Sequence, residues 1–302
     1  MVTRIATSTQ NAETLRNLQA ANAGMALSTY QITTGLKSRT LADDAANANQ
    51  LLTLKDVQNR TDTYVSNLSG ATSQLTATEN AMQQMTDLLS KASALATTGR
   101  NENSADVRAT LAPQAQALAE SFYSLMNTQY NGQYLFSGSN ANVSPLSGNA
   151  TATPYPGDPA STWYQGDDQL PTTVSGAGTT LSYGVLGNSD AFVQLKAGLE
   201  SLWSGLNTNN PTEMDTAIAT LGTAKTSLSS AVSNVGGQVD NIQQLNDRYT
   251  AQQTVTQDSL DGVEKIDVSE ALTTFSQQSA TLQASMLVIT QMNQISLLNY
   301  LK

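Results

Sequence analysis

Clustered carboxylates are the side chains of this chain whose types and spacing could do chemistry. Paired carboxylates can act as a general acid and base or hold a metal ion. Neighbouring residues project in different directions, however, and no cluster has the spacing of a calcium-binding loop. We therefore interpret all three clusters as solvated loop charges and helix-start charges. They are Asp43–Asp44, Asp167–Asp168 and the group Glu264, Asp267 and Glu270.

The chain lacks the residue types on which most enzyme and metal sites depend. Its 302 residues include no Cys and no His. Thiolate chemistry, imidazole ligands and the commonest general base near neutral pH are therefore excluded. Gly132 and Gly138 are accompanied by neither a Lys-Ser/Thr pair nor a dinucleotide fingerprint, so no phosphate-binding loop is predicted. We predict that the protein is not an enzyme and has no catalytic residue, metal site or cofactor.

The charge balance excludes two classes of partner. The chain carries 24 Asp and Glu against 14 Lys and Arg, and its pI is near 4.3. Nucleic-acid binding would lack the clustered cations that release counterions. No apolar run approaches the ~20 residues needed to span a bilayer, and the N-terminal residues lack the apolar core of a cleaved signal peptide. We expect no nucleic-acid partner, no membrane insertion and, if the chain is secreted, a route without such a peptide.

Two long apolar stripes indicate the elements that organise the chain. Eleven of thirteen positions that step alternately by three and four between 54 and 96 are apolar, whereas about five are expected at 39% hydrophobic content. A second stripe between 214 and 249 is apolar at ten of eleven positions. A mean step of 3.5 residues keeps one narrow helix face towards one partner. We predict that these two helices pack together as an internal core.

Weaker stripes occupy the two ends of the chain, over residues 4–36 and 268–302. Asn22, Thr29 and Ser279 interrupt them. One helix pair has little core to share, so its apolar flanks would stay uncovered. We therefore predict that these stripes form a self-assembly interface. Its residues are Leu15, Leu18, Met25, Ile32, Leu36, Leu272, Phe275, Leu282, Met286, Ile289, Leu297, Leu298 and Tyr300.

The middle of the chain has a different composition. Five of seven prolines and eight of nineteen glycines lie between Gly138 and Gly187. Short runs at 161–164, 172–174 and 180–185 are separated by turn-forming residues, which is typical of strands. A third helix is expected to begin near Ser104 or near Pro113 and to end at Tyr130. We favour a start close to Ala112, because Pro113 is tolerated only in a first turn or at a kink. Another is expected to begin at Asn210 and Pro211, a good N-cap and first residue.

The sequence thus predicts a mainly α fold. Both chain ends would build an elongated antiparallel coiled-coil or helical-bundle rod, with a small β-rich insert domain. The segments are an N-terminal assembly helix (1–42), the N-terminal half of the rod (43–138), the insert (139–189), the C-terminal half of the rod (190–262) and a C-terminal assembly helix (263–302).

Several motifs resemble the flagellin superfamily, which includes bacterial flagellin and the flagellar hook-associated proteins. The loop Ser38–Asn47, with Asp43 and Asp44, is similar to the loop after the first helix in these relatives. Three more motifs are closer to the hook–filament junction members than to filament flagellin. They are Asn131–Gly138, which includes Gly132, Tyr134, Leu135, Phe136 and Gly138, then Trp163–Asp167, and the ending Ser296–Leu301.

The resemblance implies a secreted structural adaptor of the extracellular bacterial flagellum. Its implied partners are further copies of itself in a homo-oligomeric ring, a neighbouring hook-associated protein, flagellin, and a flagellar export chaperone on the C-terminal helix. It also implies type III export of the unfolded chain, and a chain without disulfides suits threading.

Three alternatives stay open. A short filament flagellin is the first, because Asp43–Ala46 is nearer the flagellin form of that loop. A secreted coiled-coil effector is the second. The third is a glycan-binding or hydrolytic insert that uses Trp163, Tyr164, Asp167 and Asp168.

Overall fold

The computed structural model describes residues 2–102, 104–146 and 163–300, without the side chains of residues 2–8, 10, 11 and 292–300. Long helices dominate this part of the chain. They are α1 (Val2–Thr34), α2 (Ala48–Asn101), α3 (Ala105–Met126), α4 (Asp190–Asn207), α5 (Pro211–Glu264) and α6 (Val268–Tyr300). None of these helices combines the length and hydropathy needed to cross a bilayer.

Two antiparallel hairpins supply the strands of the described residues. Strands β1 (Gln129–Tyr130) and β2 (Gln133–Tyr134) pair around a two-residue turn. Strands β3 (Thr172–Gly176) and β4 (Thr179–Ser182) form the second hairpin, with a register shift between Val174 and Gly176. The mainly α prediction is confirmed. The expected strands near 172 and 180 are confirmed as well. Of the run at 161–164, residues 161 and 162 lie outside the described residues, and Tyr164 forms an isolated antiparallel bridge with Leu146.

Helix starts follow local capping chemistry. Asn210 Oδ1 accepts the backbone N–H groups of Thr212 and Glu213 at 3.1 and 3.4 Å, and Pro211 is the first residue of α5, as predicted. The favoured start of α3 near Ala112 is wrong, and the alternative start near Ser104 is confirmed; the helix ends at Met126, four residues before the expected Tyr130. Ser104 caps a helix that begins at Ala105 and contains Pro113 in its interior. The apolar face of α3, which buries Ala115 and Phe122, offsets the hydrogen bond that the proline removes.

Residues 61–252 form one compact unit with a continuous apolar core. Positions 61 to 96 of the first long stripe are buried, apart from the half-buried Tyr64. Buried residues of α2 and α5 belong to one cluster, and the rings of Tyr64 and Tyr249 lie 5.4 Å apart. The predicted packing of the two long stripes is therefore confirmed. In the same unit α3 packs against α4, and the ring of Phe136 meets that of Phe192 edge to face at 5.1 Å.

Residues 1–60 and 253–302 form a second compact unit. It contains the pair of α1 and α6, together with the first turns of α2 and the last turns of α5. A short bridge pairs the α1–α2 linker with the α5–α6 linker. In it, Lys37 N donates to Glu264 O at 2.7 Å and Ile266 N donates to Gly35 O at 3.0 Å. The division of the chain into five segments by role stays a prediction.

Candidate assembly surface

The contact between α1 and α6 includes a buried polar pair. Ser28 is 2% exposed, and its hydroxyl donates to Gln278 Oε1 at 2.8 Å. The neighbouring turns contribute small or half-buried residues such as Ala21 and Gly24 on α1 and Ala271 on α6. Among the described side chains of α1 and α6, no large apolar residue is fully buried, in contrast to the core of the unit at 61–252.

The predicted assembly residues divide into two groups by exposure. Leu15, Leu272 and Met286 are 54%, 48% and 51% exposed. Half-buried positions are Leu18, Met25, Ile32, Leu36, Phe275, Leu282 and Ile289. The side chains of Leu297, Leu298 and Tyr300 lie outside the described part of the chain. The first group leaves apolar area on the surface, so it is available to another molecule.

The stripe prediction missed further exposed apolar residues. Leu27 on α1 and Leu287 and Val288 on α6 are 39%, 61% and 47% exposed. The run Met286–Ile289 contains four consecutive apolar residues. Since consecutive residues on a helix are about 100° apart, such a run cannot lie on one face. That run was the sequence signal for apolar residues on the outside of α6.

Hydrogen bonds within the loop hold the family-motif residues of the first linker. Asp43 Oδ2 accepts the backbone N–H of Thr40 at 2.9 Å, and this bond lowers the pKa of Asp43. Asp44 accepts two contacts from the Asn47 amide at 3.0 and 3.1 Å. Arg39 donates to the carbonyl of Ala26 at 2.6 Å and stacks on the ring of Tyr30. The acidic pair thus organises a turn.

The second motif forms the connection from α3 to the insert. Asn131 and Gly132 both have positive φ, at 50° and 79°, as a tight type I′ hairpin turn requires. Tyr134 pairs with Gln129 in that hairpin. Leu135 and Phe136 follow it and are buried at 4% and 0% exposure. These residues anchor the insert in the core.

The acidic and aromatic residues of the insert also have structural partners. Trp163 and Tyr164 are both 8% exposed, so their ring faces are not available for stacking on a sugar. Asp167 accepts hydrogen bonds from Ser139, whose hydroxyl lowers the pKa of that carboxyl. Asp168 accepts the Asn188 amide at 2.6 Å. The two carboxylates therefore have separate partners, which gives them the geometry of loop anchors.

In the third acidic group, Asp267 and Glu270 lie at the start of α6, whereas Glu264 is the last residue of α5. Glu264 forms an ion pair with Lys55 at 2.5 Å. Asp267 caps α6 by accepting the N–H groups of Ser269 and Glu270 at 2.8 and 3.3 Å. No group of carboxylates in the described ranges has the geometry to hold a metal ion.

Sequence reasoning missed a buried ion pair on α4. Lys196 and Glu200 are 5% and 2% exposed, and the ammonium donates to Glu200 Oε1. The same ammonium lies 5.5 Å from the centroid of the Trp163 ring. The i, i+4 spacing is a weak signal for such a pair, because exposed pairs with that spacing are common. Its burial depends on the insert that covers it.

The sequence matches two family models and is similar to proteins of known name. Residues 5–141 match the bacterial flagellin N-terminal helical region, and residues 218–301 match the bacterial flagellin C-terminal helical region. Flagellar hook-associated protein 3 of Salmonella typhimurium is 24% identical over 292 residues, covering 88% of this chain and 90% of that protein. The protein of the same name from Escherichia coli is 24% identical over 289 residues, with the same coverage.

Solved structures share the fold. A flagellar hook-associated protein structure from Vibrio parahaemolyticus has a TM-score of 0.63 at 16% identity, covering 74% of this chain and 100% of that one. FlgL of Bacillus cereus has a TM-score of 0.58 at 14% identity, covering 69% of this chain and 99% of that one. Because its N-terminal and C-terminal regions both match the flagellin family models, the chain belongs to the flagellin superfamily.

Proposed function

We propose that this chain is a non-enzymatic structural adaptor between the hook and the flagellin filament of the bacterial flagellum. The observation that carries the proposal is the exposed apolar surface of α1 and α6, at the two chain ends where both flagellin helical regions match. The relatives named flagellar hook-associated protein 3 support the junction over other flagellar positions.

Exposure of large apolar residues on the terminal helices is the physical argument for assembly. Leu15 and Leu27 lie outside the contact of α1 with α6, and Leu272 and Leu287 lie outside it on the other helix. Exposed apolar surface that one chain does not cover is stabilised by burial against another. Further copies of this chain, in a ring, are the first occupants we propose.

The unit at 61–252 differs from the terminal helices because its apolar residues are covered, which supports a different role for it. Its long stripes are already buried within the chain, so its stability needs no neighbour. We assign it the middle of the adaptor. By resemblance, a neighbouring hook-associated protein and flagellin contact the two sides of the ring, and an export chaperone covers the C-terminal helix before assembly.

Complementation of a deletion strain tests the proposal. Cells without the gene should make hooks that lack filaments and lose flagellin to the medium. The full chain should restore filaments, whereas Leu272→Ser/Leu287→Ser should be exported and remain helical without restoring them. Val174→Ser is the matched control, because Val174 is 46% exposed on β3, outside the terminal helices. It should restore filaments fully.

Two outcomes would contradict the proposal. If the double serine variant grew filaments at the frequency of the control, the exposed leucines of α6 would not mediate assembly. Labelled protein distributed along the whole filament would support a short filament flagellin instead. Electron microscopy of isolated flagella with an antibody to the insert separates that distribution from a band at the junction.

A further inference from the structure

Glycines inside the helices of the unit at 61–252 are of two kinds. At Gly198 and Gly205 of α4 a side chain would collide with α5, because a Cβ would lie 2.7 Å from Leu221 Cδ2 and 2.8 Å from Met214 Cγ. At the pair Gly236–Gly237 of α5, its own helix backbone aside, a Cβ would meet no atom of the described residues within 4 Å. Packing within the described chain therefore does not require this pair, although each glycine lowers local helix stability about fivefold relative to alanine.

The glycine pair lies beyond the part of α5 that α4 covers. The two close contacts of the α4 glycines show that α4 runs antiparallel to α5. Near the start of α4, Ser227 Oγ donates to Gln194 Oε1 at 2.8 Å. From this level onward an open groove lies against α5, and its lining includes Ala231, Asn234 and Val235. The second half of α5 is therefore packed on fewer sides than the first half.

Burial along α5 changes at the same level. Buried apolar residues first recur every three or four positions, at Met214, Ala217, Leu221, Ala224 and Leu228. Beyond Leu228 they recur only every seven positions within this unit, at Val235, Ile242 and Tyr249. The intervening stripe positions 231, 238 and 245 are half-buried. Fewer buried side chains therefore hold each turn of α5 after Leu228.

Hydrogen bonds take the place of an apolar contact at position 238 of the stripe. Gly184 N donates to Gln238 Oε1 at 2.7 Å, and Gln238 Nε2 donates to Gly184 O at 3.2 Å. The neighbouring residue bonds to the other long helix, since the Tyr183 hydroxyl donates to Gln74 Oε1 at 3.0 Å. Tyr183 and Gly184 of the insert therefore connect α2 to α5 at this level. We call these two residues the strap.

We propose that residues 233–241 of α5 form a joint, which opens locally while α5 stays helical on both sides, and that the strap holds this joint closed. The joint begins with the sequence Ser-Asn-Val-Gly-Gly, in which only Val235 is buried. Serine, asparagine and glycine are poorer helix formers than alanine. Local opening is easiest where buried contacts are few and the backbone is exposed to solvent. Both conditions hold in these turns.

The joint separates two parts of the unit at 61–252. On one side α4 packs on the first half of α5. On the other side the β3–β4 hairpin is fixed to α5, where the Tyr249 hydroxyl donates to Ser175 O at 2.6 Å. Opening of the joint lets the hairpin move with the second half of α5. This inference concerns one chain and goes beyond the proposed function without resting on it.

Hydrogen exchange of the native full chain in dilute solution, followed by mass spectrometry, tests the joint. Protection factors at 233–241 should be lower than those of the turns on either side. Gly236→Ala/Gly237→Ala should raise them about 25-fold. Gly222→Ala is the matched control, because Gly222 is an exposed glycine with open space around it that lies where α4 covers α5. It should leave protection at 233–241 unchanged, since residue 222 stays helical when the joint opens.

A second pair of variants tests the strap. Gln238→Ala removes both hydrogen bonds to Gly184 and should lower protection at 233–241 about tenfold. Gln244→Ala makes the same substitution at an exposed position of α5 and should leave this protection unchanged.

Three results would overturn the proposal. Uniform protection along α5 in the natural chain would mean that no joint exists. A gain at 233–241 in Gly222→Ala would show that these amides exchange only when the whole unit unfolds. Unchanged protection in Gln238→Ala would show that the strap does not hold the joint. None of these results depends on polymerisation, so failure here is distinct from failure of the proposed function.

Discussion

Both carboxylate oxygens of Asp167 accept hydrogen bonds from Ser139. Oδ1 accepts the backbone N–H of Ser139 at 2.8 Å, and Oδ2 accepts its hydroxyl at 2.5 Å. This contact joins two points of the insert that lie 28 residues apart in the sequence. The residue before Ser139 is Gly138, whose φ is +75°. Gly138 and the Asp167 carboxylate therefore act together to hold the backbone at Ser139.

Gly138→Ala should destabilise the unit at 61–252 by more than the strain of placing alanine at a positive φ. A Cβ at Gly138 would overlap Asp167 Oδ1 and lie 2.8 Å from the carbonyl oxygens of Asp167 and Gln169. Gly178→Ala is the matched control, because Gly178 has a φ of +67° with open space around it. The control should lose about 1–2 kcal/mol, and Gly138→Ala at least about 1 kcal/mol more. Urea denaturation measures both, and equal losses would refute the steric argument.

The buried ion pair of α4 should depend on both partners. Lys196→Met leaves the Glu200 carboxylate in the core without the ammonium, which should cost about 3–5 kcal/mol of the free energy of unfolding. Lys196→Met/Glu200→Met removes both charges at similar volume and should recover most of that loss. The exposed pair of Lys265 and Asp261 provides the control, since Lys265→Met should change stability by less than about 1 kcal/mol. A double variant less stable than Lys196→Met would contradict this account.

Stability should fall in strongly alkaline solution because of Tyr164. Burial raises the pKa of Tyr164 to about 12, and its hydroxyl donates to Phe136 O at 2.9 Å. The unfolded chain loses this proton near pH 10 and the folded chain keeps it. The stabilisation is therefore complete below about pH 10 and is lost as pH rises towards 12.

The test compares the natural chain with Tyr164→Phe. At pH 8 the variant should be less stable by about 1 kcal/mol, the loss of one hydrogen bond. Between pH 8 and pH 11 its melting temperature should fall by less than that of the natural chain. Burial also raises the pKa of Tyr183, so part of the alkaline effect should remain in the variant. An identical fall in both proteins would rule out Tyr164 as a source.

The long stripes were predictable because their signal repeats over many turns. Even the polar exceptions of the first stripe are buried: Thr61 and Thr78 are 3% and 1% exposed. The hydroxyl of Thr78 donates to the carbonyl of Gln74 at 2.9 Å within its own helix. Because a threonine hydroxyl can donate its hydrogen bond within its own helix, a threonine can be buried without interrupting an apolar core.

The start of α3 was mispredicted because Pro113 gave a strong local signal. The cost of an interior proline is a local quantity, whereas the burial of Ala115 and Phe122 against the rest of the unit is a tertiary one. The burial of Lys196 has the same origin, since Trp163 reaches it from a distant part of the chain.

Periodic spacing by itself determined the mainly α fold and the internal core of residues 61–252, because regular apolar positions imply a buried helix face whatever the partner is. The turn at Asn131 and Gly132 also depends on local sequence, because both residues tolerate a positive φ. Only the tertiary structure decided which faces of α1 and α6 meet. There the apolar signal is weak and interrupted, and the contact includes a hydrogen bond between Ser28 and Gln278, which are 250 residues apart. Such a contact leaves no periodic trace in the sequence.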